Sequence, residues 1–424
     1  MQTLIGLFGF LVVINFSLIV LRKYPIIADV ILIALILRIG ASFVHYFFTG
    51  LPDGATDAVG FESVSWYWAQ DGFLGTFTHF FEKGGVWFYA NAGSLIYSIT
   101  GRSPLLLQSV SVFVGVYCVI FSYKLSEYVW NIPSAERTTA SLVAVYPMLV
   151  LYSALTMREA FITLALLYAL INVVKWLESA RSRYAILALA AFSTGFILHP
   201  GIVIGGLLFF GLLSIHSVRR VYADSDQMKI PFITIYLIAI VSILATFISI
   251  EDVLDLQYIS FVVSTGSIEA YLNAYMGSSF AGTASFPEWL IADSITQYIL
   301  LIVPKLLYYL FSPFPWDIAN AAQSFGLIDS LFHLFSAFII IKNRKAFLQN
   351  PKALTVILFF MVISLVYSVA TANFGTAIRH RSVLLPLLIV LIGPFIKPLF
   401  SAKNIYSISS DISDPALNKA SKPR

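Results

Sequence analysis

Ser153-Ala154-Leu155-Thr156-Met157-Arg158-Glu159 closes one long apolar run, 139–156, and opens the next, 160–176. An arginine and a glutamate side by side between two runs of spanning length read as the turn of a transmembrane hairpin. Charge kept there is expensive and usually marks a site. The same pattern, long apolar runs separated by short polar turns, repeats along most of the chain.

Composition agrees with that reading. The 424 residues are 59% hydrophobic and only 11% charged, and mean hydropathy is +0.86. A soluble globule of that composition would leave much of its apolar surface wet. The expected fold is all-α, a polytopic membrane protein with about ten to twelve transmembrane helices. Candidate spans are roughly 3–21, 26–48, 104–123, 139–156, 160–176, 184–198, 202–217, 231–250, 323–341, 353–371 and 382–397. The first run ends in Arg22-Lys23 and lacks a small-residue cleavage site, so it reads as a retained helix. Cys118 is the single cysteine and permits no intrachain disulfide. The net charge of +4 is accounted for by basic flanks and implies no nucleic-acid partner.

Orientation follows from lysine and arginine bias between the runs. Arg22-Lys23, Lys124 to Arg137, Lys175 to Arg183, Arg219 to Lys229, Lys342 to Lys352 and the tail after Lys397 are basic, which places them inside and the N-terminus outside. Residues 1–400 form one membrane domain, and 401–424 read as a polar cytoplasmic tail. Two long outside segments, about 49–103 and 251–322, carry short interfacial helices, the first rich in aromatics such as Trp66 and Trp68. Ile295 to Phe311 is apolar enough to cross, yet a crossing would place Lys342, Arg344 and Lys345 outside. With Lys305, Pro304 and the following Pro313-Phe314-Pro315-Trp316, it reads as re-entrant, interfacial or paired with a further span.

Four polar groups fall on the outside face: Asp53 and Asp57 with Glu62, Arg158 with Glu159, His199-Pro200-Gly201, and Arg379-His380-Arg381 before a last helix containing Pro386. Asp57 admits two readings, a cap for a helix starting there or a general base beside the membrane surface. Arg158 is either an interfacial charge or a planar fork for a phosphate. His199 is a junction residue or a donor at the same level. Arg379 and Arg381 oppose the positive-inside tendency, so an anion, either a headgroup or a lipid-linked phosphate, is expected to compensate them. Arg38, deep in the second run, calls for a carboxylate, a carbonyl or water as a structural partner. No metal site is assigned. The aspartates leave room for a divalent Mg or Mn, but without a second acidic cluster metal-independent chemistry is expected.

In order along the chain, Asp57 with Phe61 in the first outside loop, Arg158-Glu159 after a span containing Pro147, Leu198-His199-Pro200, and Arg379-His380-Arg381 before a proline resemble the C-type (GT-C) membrane glycosyltransferase superfamily. The resemblance extends to O-antigen and exopolysaccharide polymerases. It covers most of the chain as a pattern of spans and loops. It implies a bacterial inner-membrane enzyme whose site faces the periplasm or exterior. Such an enzyme passes a sugar or oligosaccharide from a polyprenyl phosphate or diphosphate carrier to a glycan or lipid-linked acceptor. By carry-over, Asp57 is the base, and Arg158, Arg379, His380 and Arg381 bind the leaving phosphate. His199 donates to it or positions the acceptor. Asp53, Glu62, Glu159, Lys305 and Trp316 support the site. Two other classes stay open: a transporter or flippase of lipid-linked glycans, although no internal repeat is visible, and a noncatalytic scaffold.

Overall fold

The computed structural model describes residues 1–55, 57–82, 87–223, 285–290, 295–318 and 321–396. These residues fold as helices, with one isolated bridge between Ser285 and Asn373. In chain order the helices are α1 Gln2–Lys23, α2 Ala28–Phe47, α3 Asp57–Ala69, α4 Gly72–Glu82, α5 Phe88–Thr100 and α6 Pro104–Trp130. They continue as α7 Pro133–Val145, α8 Pro147–Ala154, α9 Glu159–Ser179, α10 Ser182–Leu198 and α11 Val203–Ala223. The last group is α12 Ile295–Phe311, α13 Ala321–Lys342, α14 Arg344–Leu348, α15 Pro351–Ala370 and α16 Phe374–Ile392.

Six helical stretches among the described residues are long and apolar enough to cross a membrane: Gln2–Lys23, Pro25–Phe47, Pro104–Trp130, Glu159–Ser179, Pro351–Ala370 and Phe374–Phe395. The chain is therefore a multi-pass, all-α membrane protein. Backbone groups in hydrocarbon must be satisfied within the segment, which is why apolar runs of this length become helices. α6, α9 and α16 are largely buried and form the centre, while α1 turns Leu4, Phe8, Leu11 and Phe16 outward, as a lipid-facing edge helix would. The short helices expected in the first outside segment are α3, α4 and α5. The expected span 231–250, most of the segment 251–322 and the tail 401–424 lie outside the described residues.

Two expected spans change shape. The run 139–156 is not one helix: it breaks between α7 and α8, where Tyr146 is extended and Pro147 starts the second piece. Proline has no N–H to give to the carbonyl four residues back, Val143. Arg38 supplies the missing donors, its Nη2 to the Val143 carbonyl at 3.2 Å and its Nη1 to the Ala144 carbonyl at 2.9 Å. The deep arginine thus has the structural partners expected of it.

The last helix begins at Phe374 rather than Ser382. Asn373 caps it, its Oδ1 accepting from the Thr376 N–H at 2.8 Å. Arg379, His380 and Arg381 therefore sit inside a helix instead of ahead of one, and successive side chains diverge by about 100°.

Residues 285–290 pack against the end of α12. Phe286 pairs with the end of α15 through its N–H to the Ala372 carbonyl, and its ring lies 5.4 Å from Tyr308 near the end of α12. Trp289 lies 5.8 Å from the same Tyr308.

Candidate functional site

At the end of the bundle where α9 and α16 begin, Arg379 joins two carboxylates. Its Nε donates to Glu159 Oε1 at 2.5 Å, and its Nη1 is paired with Asp57 Oδ2. The three residues come from three elements that meet only in the tertiary structure. Asp57 and Glu159 each open a helix, α3 and α9, where a carboxylate also suits the positive end of the helix dipole. Asp57 is 46% exposed and Glu159 only 3%, so one carboxylate faces the opening while the other anchors Arg379 from behind.

Arg158, the residue before α9, is buried. Its Nη1 donates to the Leu198 carbonyl at 2.9 Å, and its guanidinium lies 5.6 Å from the centre of the Phe61 ring. Leu198 is the last residue of α10, so Arg158 satisfies a carbonyl that a helix end leaves free. Burial lowers the Arg158 pKa from its ordinary value, and adjacent Glu159 opposes that shift. Phe61, Tyr89 and Phe161 pack edge to face at 5.4 and 5.3 Å, laying α3 and α5 against the start of α9. Tyr152 in α8 donates to Asp53 Oδ2 at 2.6 Å, which ties the loop before α3 to the same place.

His199 and His380 meet beside these charges, with ring centres 4.9 Å apart. His199 Nδ1 accepts from the Gly201 N–H at 3.1 Å, so its neutral ring carries the proton on Nε2. Thr371 already donates to the Tyr367 carbonyl at 2.7 Å, and His380 Nδ1 lies 3.3 Å from the same hydroxyl. That arrangement puts the His380 proton on Nδ1 and leaves Nε2 an acceptor. Of the two neutral rings, His199 thus offers a donor at Nε2 and His380 an acceptor at Nε2. Burial, and then neighbouring His380, Arg158 and Arg379, hold the His199 pKa well below the ordinary histidine value. Tyr367 completes the cluster, stacked on His380 at 4.7 Å and edge-on to His199 at 5.0 Å.

Compared with known proteins, the chain matches no family model, no curated protein and no solved structure.

Of the residues singled out in the sequence, Asp57, Arg158, Glu159, His199, Arg379 and His380 come together, with Asp53 alongside through Tyr152. Arg381 does not join them. Two positions on from Arg379, it points about 200° away around the helix and is fully buried. Its Nη1 donates to the carbonyls of Tyr309, Leu310 and Ser312 at 3.0, 2.9 and 2.7 Å. Its Nη2 lies 2.8 Å from Asp329 Oδ2. These are the free carbonyls of the C-terminus of α12, before Pro313, and Arg381 is their cap.

Glu62 is likewise structural. It is buried between Arg102, at 2.7 and 3.0 Å, and the Tyr97 hydroxyl at 3.0 Å, bracing α3 against α5. Lys305 is buried in α12, one helical turn before Tyr309. Trp316 is 75% exposed and stacked on Phe314 at 4.9 Å, an edge aromatic rather than a lining residue. Among the described residues no group of three or more histidines, cysteines and carboxylates is placed to hold a metal ion.

Sequence reasoning missed Tyr152 and Tyr367. Both lie within apolar runs, among 22 tyrosines and 59% hydrophobic residues. No local feature distinguishes them.

Proposed function

We propose that this protein is a glycosyltransferase or polysaccharide polymerase of the bacterial cytoplasmic membrane. It would transfer a sugar or oligosaccharide from a polyprenyl phosphate or diphosphate carrier to an acceptor on the outer face. The observation that carries the proposal is Arg379 held between Asp57 and Glu159, with Arg158 and His199 beside it at one end of the bundle. A polyprenyl chain stays in the bilayer while its headgroup stays wet, so a site at a helix-bundle end meets both demands.

In this reading Arg379 is the pivot. The phosphate of the donor competes with Asp57 for the Arg379 guanidinium, a planar fork that suits phosphate oxygens. Freed from that pair, Asp57 accepts the proton of the acceptor hydroxyl. The acceptor oxygen forms a bond to the anomeric carbon, and the bond from that carbon to the phosphate oxygen breaks, its electron pair leaving with the phosphate. Arg379 and Arg158 stabilise the charge that develops there, and His199 Nε2–H donates to it. Glu159 keeps Arg379 in place throughout.

The test is turnover in nanodiscs containing polyprenyl-linked glycans, with products read by mass spectrometry. Transfer that disappears in Asp57→Asn while the lipid still binds supports the proposal, and product length separates single transfer from polymerisation. Native protein that binds the same lipid without transferring its glycan points instead to a flippase. Full transfer by both Asp57→Asn and Arg158→Ala removes the mechanism.

A further inference from the structure

Behind the ion pairs, toward the middle of the bundle, lies a cavity of about 20 Å³ lined by Arg38, Tyr152, Ser153, Glu159, Thr163 and Ser382. Two buried polar atoms on its lining residues have no hydrogen-bond partner: Arg38 Nε and Glu159 Oε2. Arg38 is 1% exposed and Glu159 2%. The other nitrogens of Arg38 are spent on the Ala34, Ala144 and Val143 carbonyls, and the other oxygen of Glu159 on Arg379. A buried donor and a buried carboxylate oxygen left unsatisfied in hydrocarbon-like surroundings are each costly.

We propose that this cavity is a binding site for one ordered water, which accepts from Arg38 Nε–H and donates to Glu159 Oε2. Arg38 thereby becomes a positioning residue for Arg379. The volume suits a single water, and such waters make about three hydrogen bonds. A third partner is at hand. Ser153 and Ser382 already donate their hydroxyl protons to the Leu149 carbonyl, at 2.5 Å, and to the Arg379 carbonyl, at 2.6 Å, which leaves their oxygens free to accept. The chain Arg38, water, Glu159, Arg379 then runs from the middle of α2 to the site. It locks the rotamer of Glu159 from behind while Asp57 stays free to move in front. This inference concerns the resting geometry and does not depend on glycosyl transfer.

The only cysteine gives a direct reporter, because Cys118 lines the same cavity and its thiol donates to the Ala160 carbonyl at 3.4 Å. The S–H stretching band of the full chain in nanodiscs therefore arises from this one site. On transfer to D2O the band should give way to S–D in the native protein. It should persist in Gly115→Ala, whose added methyl would press on the Ser153 side chain, stand 2.9 Å from Arg38 Nε and take the space as Ser153 gives way. An S–H band that survives in native protein, or that exchanges equally fast in both, overturns the proposal. Should Gly115→Ala fail to fold, a double-mutant cycle of Arg38→Lys and Glu159→Gln on thermal stability decides. Non-additive shifts in Tm support a bridge, whereas additive shifts reduce Arg38 to a cap on the α7 carbonyls and overturn it.

Discussion

Arg379 Nε donates to Glu159 Oε1 at 2.5 Å across a sequence separation of 220 residues. Helix α16 thereby docks against the first turn of α9, and a guanidinium is fixed at the mouth of a helix bundle. Asp57, from a third element, completes its neutralisation from the exposed side. The unequal burial of the two carboxylates divides their roles.

Asp57→Asn should separate chemistry from folding. The carboxylate is half exposed, so its ion pair contributes no more than about 1 kcal/mol, and Tm should move by no more than about 2–4 °C. Glycan transfer should fall by about 10²- to 10⁴-fold, the usual contribution of a general base. Transfer at the native rate in this variant would remove Asp57 from the mechanism.

Glu159→Ala should behave in the opposite way. Removing the buried partner leaves Arg379 with one exposed carboxylate, and breaking a buried pair costs about 3–5 kcal/mol. Thermal unfolding of the purified protein should register a clear loss. Glu159→Gln should lose less, since its amide oxygen still accepts from Arg379. Equal stability of native protein and Glu159→Ala would show that Arg379 has another anchor.

Arg379 and Arg381 should respond differently to replacement. Arg381→Leu takes from Asp329 its arginine, leaving it the Tyr146 hydroxyl at 2.9 Å, and uncaps three carbonyls at the end of α12, at a cost of about 3–5 kcal/mol, so folded yield and Tm should drop. Arg379→Lys should fold and weaken the binding of a phosphate-bearing lipid, because an ammonium lacks the fork. Lipid binding measured by native mass spectrometry alongside Tm distinguishes the two. A stable Arg381→Leu protein with weakened lipid binding would reverse the assignment.

The pH response should carry the signature of His199. Burial and its cationic neighbours keep this imidazole neutral in the folded protein, with its pKa below the ordinary value near 6.5. As pH falls through about 6.5, histidine in the unfolded chain takes up a proton that the folded chain refuses, so stability declines on the acidic side and is unaffected above it. Melting curves between pH 8 and pH 5 should show a steeper acidic loss for native protein than for His199→Gln. Parallel curves would mean that His199 titrates normally in the fold.

Much of the site was legible before its geometry because charged residues at the ends of apolar runs are rare and costly. Asp57, Arg158-Glu159, His199 and the Arg379-His380-Arg381 triplet all stood out on that ground. What failed was the phase within the triplet. Reading it as a loop ahead of Ser382 made its two arginines equivalent, whereas the Asn373 cap starts the helix earlier and turns them to opposite faces. In sequence Glu62 lies near Asp57 and reads as a site carboxylate, yet about one and a half helical turns separate them, and Arg102, 40 residues on, claims it. Tyr152 and Tyr367 were invisible because a tyrosine inside an apolar run looks the same whether its hydroxyl meets lipid, a carbonyl or an aspartate.

By itself the sequence determined that this protein is an all-helical, multi-pass membrane protein. Apolar runs of spanning length have no other way to satisfy their backbone in hydrocarbon. It also determined where charge had to be accommodated, at the ends of those runs and at Arg38. Only the tertiary structure decided which charges answer one another. Helical phase sends Arg379 to Asp57 and Glu159 but Arg381 to the carbonyls of α12, and the break at Pro147 gives Arg38 its partners. Those pairings depend on packing between residues 69 to 322 positions apart in the chain, and no local pattern encodes them.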